Sequence, residues 1–234
     1  MAGITLVLFD IDGTLLRSGG SGRGAMSQAA AELYGRPDLF DQLSFAGAVD
    51  SSIVARALDA GGLPATPRRV GRLKSRYVRR LKTRLRTAAG TLCPGVPEIV
   101  EDINTCAHVG LLTGNWEAGA RAKLNALGIG LLFEGCVGAY GGDALDRNEL
   151  VPVAVRRAKR RWGSVSRVIV IGDTPADIHC AQAGHKVLQE QGIVVQGVAV
   201  ETGFSNREDL QASGPALQVA DLVEGRGALL SLIG

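Results

Sequence analysis

Several features that mark other classes of protein are missing from this 234-residue sequence. No apolar run approaches the roughly 20 residues that a membrane-spanning helix needs. The first apolar run, residues 4–9, is too short for a secretory leader and lacks a basic flank. The four cysteines, Cys93, Cys106, Cys136 and Cys180, include no C-x-x-C pair. These absences predict reduced thiols in a cytoplasmic protein that has no membrane partner.

Acidic residues are also missing from one long stretch, because none occurs between Asp59 and Glu98. Within it, residues 68–86 contain ten Lys or Arg, and the apolar residues recur at spacings of three and four. This pattern is typical of an amphipathic helix with one packed stripe. The cationic remainder is either a solvated face or a field that steers a small anion towards the protein. Since Tyr77 is the only aromatic residue there, stacking on nucleic-acid bases is not expected.

What the sequence does contain is a set of apolar runs that end in polar residues. Residues 4–9 stop at Asp10-Ile11-Asp12-Gly13-Thr14, which is typical of a buried parallel strand opening into a turn. Because side chains alternate along a strand, Asp10 and Asp12 are predicted to share one face. Two carboxylates so close need a cation or a shared proton. A capped turn is the alternative for this segment taken alone.

Two later runs end in the same way. Residues 108–112 lead into Thr113-Gly114-Asn115, where a hydroxyl and backbone N–H groups can hold phosphate oxygens, although an ordinary turn capped by Asn115 fits as well. Residues 168–171 lead into Gly172-Asp173, and Asp177 follows four positions later. The carboxyl ends of parallel strands meet at one crevice of an open sheet. The predicted cluster of oxygen ligands suits Mg²⁺.

The alternation of strands and helices predicts an α/β fold with a doubly wound parallel sheet. Residues 1–16 and 93–234 are expected to form this core, and residues 17–92 an inserted all-helical cap. The Gly/Ser-rich tract 18–22 is a hinge or a plain surface loop. A weak strand is expected over residues 131–138, and a capping box at 205–208.

The motifs FDIDGTLL, LLTGN and VIGDTPADI occur in this order, and together they resemble the haloacid dehalogenase superfamily of phosphohydrolases. The sequence is similar in particular to phosphoglycolate-phosphatase-like members that have a helical cap. The resemblance implies a Rossmann-like core and a Mg²⁺-dependent phosphatase acting on a small phosphorylated metabolite through an aspartyl-phosphate. A phosphomutase and a catalytically weak binding or regulatory protein of the same fold are the alternatives. A dehalogenase is disfavoured because Asp12 is present.

The resemblance also implies roles for the first two motifs. Asp10 would be the nucleophile and Asp12 the general acid and base. Thr113, with Gly114 and Asn115, would hold phosphate oxygens.

The remaining roles concern the metal and a phosphate-binding cation. Asp10, Asp12 through its backbone carbonyl, and Asp173 would bind Mg²⁺, while Asp177 would orient metal-bound waters or a cation. The sequence departs from the family where a lysine is usual, because Asp146-Arg147-Asn148 stands there. Arg147 is therefore the candidate for the substrate-binding cation, and Lys123 is the fallback.

Overall fold

The structure is a computed structural model and describes residues 3–234. The strands in this part of the chain are β1 (Ile4–Phe9), β2 (Leu16–Arg17), β3 (Thr91–Leu92), β4 (His108–Thr113), β5 (Val137–Tyr140), β6 (Val165–Gly172), β7 (Val194–Val200) and β8 (Leu217–Val219). The α-helices are α1 (Ser21–Tyr34), α2 (Asp50–Ala60), α3 (Pro67–Thr87), α4 (Glu98–Asn104), α5 (Glu117–Ala126), α6 (Leu150–Trp162), α7 (Pro175–Leu188), α8 (Arg207–Ala212) and α9 (Arg226–Ile233).

Six of the strands form a parallel sheet in the order β5-β4-β1-β6-β7-β8. The first strand lies in the middle, with Val7 opposite Val109 of β4 and Ile169 of β6. The chain therefore winds outward in both directions from β1. This order confirms the predicted doubly wound α/β fold, and it puts the ends of β1, β4 and β6 side by side.

The sheet is covered by helices on both faces. Val7 and Phe9 belong to the core cluster that includes α4, α5 and α9. Leu6 and Leu8 belong to the cluster that includes α6 and α7. Both faces of β1 are thus buried, which explains why its sequence is a continuous apolar run without polar alternation.

The first three α-helices form a separate apolar cluster, the helical cap. A short antiparallel ribbon, β2–β3, joins its two ends to the core. The core residue Trp116 is buried in the cap cluster, where its ring meets Tyr77 edge-on at a centroid distance of 5.6 Å. This contact packs α3 against the start of α5 and so places the cap beside the ends of the central strands. The division into two folding units at residues 17 and 92 stays a prediction.

Three local predictions are partly wrong. Gly130–Phe133 is a 3₁₀ helix, and the strand begins only at Val137. The tract 18–22 is not all loop, because α1 already begins at Ser21. The residue that caps the N-terminus of α8 is Asn206, one position after the start of the predicted capping box. Its side chain accepts a hydrogen bond from the N–H of Asp209 at 2.8 Å.

No helix within residues 3–234 is both long enough and apolar enough to cross a lipid bilayer.

Candidate active site

A cavity of about 620 Å³ opens between the strand ends and the cap. From the core it is lined by the residues Asp10, Asp12, Thr113, Gly114, Asn115, Lys123 and Arg147. From the cap it is lined by α1, α3 and the loop that precedes α2. The residues predicted from the ends of β1 and β4 therefore face a single cavity, which has a volume that suits a small organic ligand.

Three carboxylates meet beside this cavity, although only Asp10 lines it and the other two are fully buried behind it. Asp10 follows β1, Asp173 follows β6 and Asp177 lies in the first turn of α7, and carboxylate oxygens of the three lie within 4.8 Å of one another. Burial, with further contributions from neighbouring carboxylates, raises the pKa of Asp10 to about 6 and that of Asp173 to about 8. Burial is the larger cause of both pKa shifts, because it disfavours the charged form, and repulsion between the carboxylates adds to it.

Arg147 is the cation of this carboxylate cluster. Its Nη2 donates to Asp177 Oδ1 and lies 3.3 Å from Asp10 Oδ1. Burial opposes the charge of the guanidinium, but Asp177 and Asp10 outweigh it and raise the pKa of Arg147. The Nε of Arg147 is buried without a hydrogen-bond partner, while the side chain lines the cavity. The guanidinium therefore borders the cavity as a charged group, while Nε itself is enclosed by the protein.

The other contacts of the two distal carboxylates show which of them is free to bind a metal. Asp177 Oδ2 accepts from the backbone N–H of Thr174 at 3.0 Å and from its hydroxyl at 2.7 Å, and Oδ1 is taken by Arg147. Asp173 accepts only from Thr14 Oγ1, at 3.2 Å, and from the N–H of Phe204, at 2.9 Å. Each oxygen of Asp173 thus keeps a lone pair, whereas Asp177 serves to hold Arg147 and to cap α7.

The carboxylate cluster fits a divalent cation. Three carboxylates face a single guanidinium, so two positive charges would balance the cluster. The donors are hard oxygens, which suit Mg²⁺. Gly13, at φ 91°, lets the turn after β1 pass against Asp173, since a Cβ there would lie 2.3 Å from Oδ2. Asp10 and Asp173 are therefore the carboxylates placed to hold such an ion.

Asp12 does not join the carboxylate cluster, although Asp10 and Asp12 both line the cavity. The strand ends at Phe9, so strand alternation no longer applies to the two aspartates. Asp12 Oδ2 instead accepts from Lys123 Nζ at 2.5 Å and from Asn115 Nδ2 at 2.8 Å. Burial favours a raised pKa, but the charge and hydrogen bond of Lys123 outweigh it and lower the pKa of Asp12.

The segment after β4 connects Asp12 to the cavity floor. Thr113 Oγ1 accepts from Asn115 Nδ2 at 2.9 Å, so the same amide contacts both Thr113 and Asp12. The backbone of Gly114 is approached by the cap, because a Cβ on it would lie 2.0 Å from the carbonyl oxygen of Ala48. Only glycine permits this approach, which brings the loop before α2 over the end of β4.

Sequence patterns missed several residues that build the site. Ser18 donates to Asp12 Oδ1 at 3.0 Å. Asp50, identified from the sequence only as the start of its own helix, accepts from the N–H of Trp116 at 2.8 Å and so caps α5 across the cap–core boundary. Burial raises the pKa of Asp50 to about 6. The contact of Asp50 joins positions 66 residues apart, and that of Ser18 depends on the path of the chain after β2, so neither leaves a local signal.

Comparisons with a family model and with individual relatives agree on one protein family. The family model of haloacid dehalogenase-like hydrolases matches residues 7–182. Phosphoglycolate phosphatase of Cereibacter sphaeroides, strain ATCC 17025 / ATH 2.4.3, is 27% identical over 179 residues, which cover 76% of this chain and 80% of the relative. The protein of the same name from strain ATCC 17029 / ATH 2.4.9 is 26% identical over the same length.

Solved structures share the fold. CbbY from Rhodobacter sphaeroides, in a mutant form with xylulose-(1,5)bisphosphate, superposes with a TM-score of 0.70 at 18% identity, covering 94% of this chain and 96% of that one. A hydrolase from Pseudomonas syringae superposes with a TM-score of 0.68 at 17% identity, covering 99% and 100%.

Proposed function

This protein belongs to the haloacid dehalogenase-like hydrolase family and is a phosphoric monoester hydrolase, and on that premise we propose that it hydrolyses a small phosphorylated metabolite through a phosphoryl group carried on Asp10. The observation that supports the proposal is the position of Asp10. Its carboxylate ends the central strand, lines the cavity and lies 3.3 Å from the guanidinium of Arg147. A nucleophile and a cation for the phosphoryl oxygens are thus adjacent.

In the first step a carboxylate oxygen of Asp10 attacks phosphorus, and the bond from phosphorus to the leaving oxygen breaks. Asp12 gives its proton to that oxygen, so the product leaves as an alcohol. In the second step Asp12 takes a proton from water, the water oxygen bonds to phosphorus, and Asp10 is released as a carboxylate together with inorganic phosphate. Splitting the hydrolysis in this way replaces one difficult step with two easier ones.

The remaining residues bind and orient the phosphoryl group. Arg147 and the hydroxyl of Thr113 are placed to donate to its oxygens, together with backbone N–H groups at Gly114 and Asn115. Asp10, Asp173 and the backbone carbonyl of Asp12 would hold Mg²⁺. When bound, the ion supplies positive charge that lets an anionic nucleophile approach an anionic ester.

We infer from the named relatives that the ester resembles phosphoglycolate, a small phosphomonoester with a second anionic group. Arg17 and Arg23 line the cavity, and their hydrogen bonds run to backbone carbonyls, Arg17 to Thr202 at 2.8 Å and Arg23 to Phe40 at 2.8 Å. Neither guanidinium is paired with a carboxylate among the described residues. A second anion on the substrate would be favoured by this charge.

The test is a screen of phosphorylated metabolites for phosphate release with and without Mg²⁺, using wild type and Asp10→Asn. The variant keeps the side-chain volume but removes the nucleophile, so we expect it to remain folded and to lose more than about 10³-fold in turnover. Turnover by Asp10→Asn within tenfold of wild type would contradict the mechanism. Formation of an isomeric phosphate ester in place of inorganic phosphate would identify a mutase.

A further inference from the structure

Lys123 is a buried cation that lies on a different part of the site from Arg147. Its side chain is 4% exposed, and its Nζ donates to Asp12 Oδ2 at 2.5 Å and to Asn115 Oδ1 at 2.6 Å. Arg147 contacts Asp10 and Asp177. The two cations therefore serve the two aspartates of the first motif separately. Neither hydrogen-bond partner of Lys123 belongs to the carboxylate cluster.

Burying an ammonium group costs desolvation free energy, and proteins tolerate this cost when the partners of the charge are well placed. The cap contributes to this burial, because a Cβ on Gly22 of α1 would lie 3.6 Å from Lys123 Nζ. Gly22 of α1 therefore packs directly beside the ammonium group. The cap and the core together thus enclose the contact between Lys123 and Asp12, and they hold the ammonium group in that contact.

The hydrogen bonds to Asp12 distinguish its two oxygens. Oδ2 accepts from both Lys123 and Asn115, whereas Oδ1 accepts from Ser18 alone, at 3.0 Å. An oxygen that already receives two donors, one of them charged, has no room for a proton of its own. When Asp12 is protonated, its proton is therefore carried on Oδ1.

We propose that Lys123 is a positioning residue that fixes Asp12 Oδ2, so that Oδ1 presents its proton to the leaving oxygen. The proposal rests on the proposed function, and it adds a residue to the step that expels the product. As the Asp10 oxygen bonds to phosphorus, the bond to the leaving oxygen breaks and the proton on Asp12 Oδ1 passes to that oxygen. Lys123 gives up no proton and touches neither the phosphoryl group nor the nucleophile.

This role makes the effect of Lys123 depend on the leaving group. An alkyl phosphate needs a proton on its leaving oxygen, whereas nitrophenolate leaves without one. Single-turnover rates with enzyme in excess isolate the first step for phosphoglycolate and for 4-nitrophenyl phosphate. We expect Lys123→Met to slow the alkyl ester by about 100-fold, the usual scale of general acid catalysis, and the nitrophenyl ester by less than about fivefold.

Two further variants separate positioning from general damage. Lys123→Arg keeps the charge and should recover part of the rate with the alkyl ester. Arg121→Met changes an exposed residue of the same helix, paired only with Glu117 at 2.8 Å, and should leave both rates unchanged. Lys123→Gln, a smaller change, provides the same comparison of esters if Lys123→Met does not fold.

The decisive comparison is a double mutant. If Lys123 acts only through Asp12, adding Lys123→Met to Asp12→Asn should slow the alkyl ester by less than about twofold more, because residues that act as a unit are not additive. Equal losses for the two esters, no loss for either, or a full additional loss in the double mutant would each overturn the assignment. Turnover of the nitrophenyl ester by wild type reports the phosphatase activity separately, so a failure of one proposal is distinguishable from a failure of the other.

Discussion

At the scale of single residues, the site depends on how two buried cations are shared among three aspartates. Arg147 bridges Asp10 and Asp177, and Lys123 holds Asp12. Buried ion pairs contribute little net stability, but loss of one partner leaves an uncompensated charge. Their arrangement is therefore better explained by the positions that they impose on the carboxylates than by stability.

Replacing Arg147 should affect the phosphoryl group whatever the leaving group. We expect Arg147→Ala to cost about 3 kcal/mol of transition-state stabilisation, the scale of other preorganised charge contacts. Since the guanidinium has no role in protonating the product, single-turnover rates for alkyl and nitrophenyl esters should fall by the same factor. Arg147→Lys should lose less than Arg147→Ala, because it keeps the charge.

The control for this prediction is Lys123→Met measured with the nitrophenyl ester. With this ester, the single-turnover rate of Arg147→Ala should be lower than that of Lys123→Met. The reverse order, in variants that melt at the temperature of wild type, would transfer the phosphate-binding role to Lys123.

The residues whose positions are most accurately predicted from the sequence lie at the ends of strands. Asp10, Thr113 and Asp173 were predictable because an apolar run that stops at a polar residue marks the carboxyl end of a buried parallel strand. Ser18 and Asp50 were not predictable, because their partners lie on other elements and nothing local identifies them. Lys123 was predicted as a substrate contact, but sequence spacing carries no information on whether it faces Asp12 or phosphate.

At the scale of elements, α3 presents most of its charge away from the cavity, with the exception of Lys74, whose Nζ lies 5.6 Å from the centre of the Trp116 ring. Its buried residues are Leu73, Tyr77, Leu81 and Leu85, and Tyr77 lines the cavity. The exposed cations on the opposite side of the helix are Arg68, Arg72, Arg79, Lys82 and Arg86. Arg76 and Arg80 contact Glu32 of α1. The geometry therefore argues against the hypothesis that this helix steers substrate into the site.

Charge reversal on this helix tests the point. The double variant Arg72→Glu, Arg79→Glu should change kcat/KM for phosphoglycolate by less than about twofold at 0.1 M salt, where exposed charges are screened beyond roughly 10 Å. The same measurement with 4-nitrophenyl phosphate, which has no second anionic group, is the control. A loss of more than tenfold confined to phosphoglycolate and relieved by salt would restore the steering hypothesis.

The elements that sequence patterns missed are the short ones. An apolar run such as Leu131-Leu132-Phe133 is compatible with a strand or a helical turn, and periodicity alone does not separate them. The β2–β3 ribbon has two residues on each side. Strands that short are specified by the contact between the two ends of the cap, about seventy residues apart, and not by local propensity.

At the scale of the whole molecule, the fold brings three carboxylates together at some electrostatic cost. The strand ends converge because the sheet is parallel and doubly wound, and one guanidinium does not neutralise the three anions. A bound divalent cation should therefore stabilise the entire protein. By linkage, saturation at 100 times Kd adds about 2.7 kcal/mol to the free energy of unfolding.

Thermal unfolding with and without MgCl₂ measures this effect, and we expect Tm to rise by several degrees for wild type. Asp173→Asn should abolish the rise, because it removes a carboxylate that is free to bind the metal. Asp41→Asn, an exposed change in the cap, should keep it. An equal rise in all three proteins would mean that Mg²⁺ binds elsewhere.

The central claim is that the phosphoryl group passes through Asp10, and the most direct measurement of it locates that group during turnover. The protein is mixed with excess 4-nitrophenyl phosphate and Mg²⁺, quenched in acid during the first turnover, digested and mapped by mass spectrometry. The account predicts a phosphorylated peptide in which the modified residue is Asp10, formed in step with nitrophenolate release and absent from Asp10→Asn. A phosphoryl group on any other residue, or a full burst of nitrophenolate with Asp10 unmodified, would contradict it.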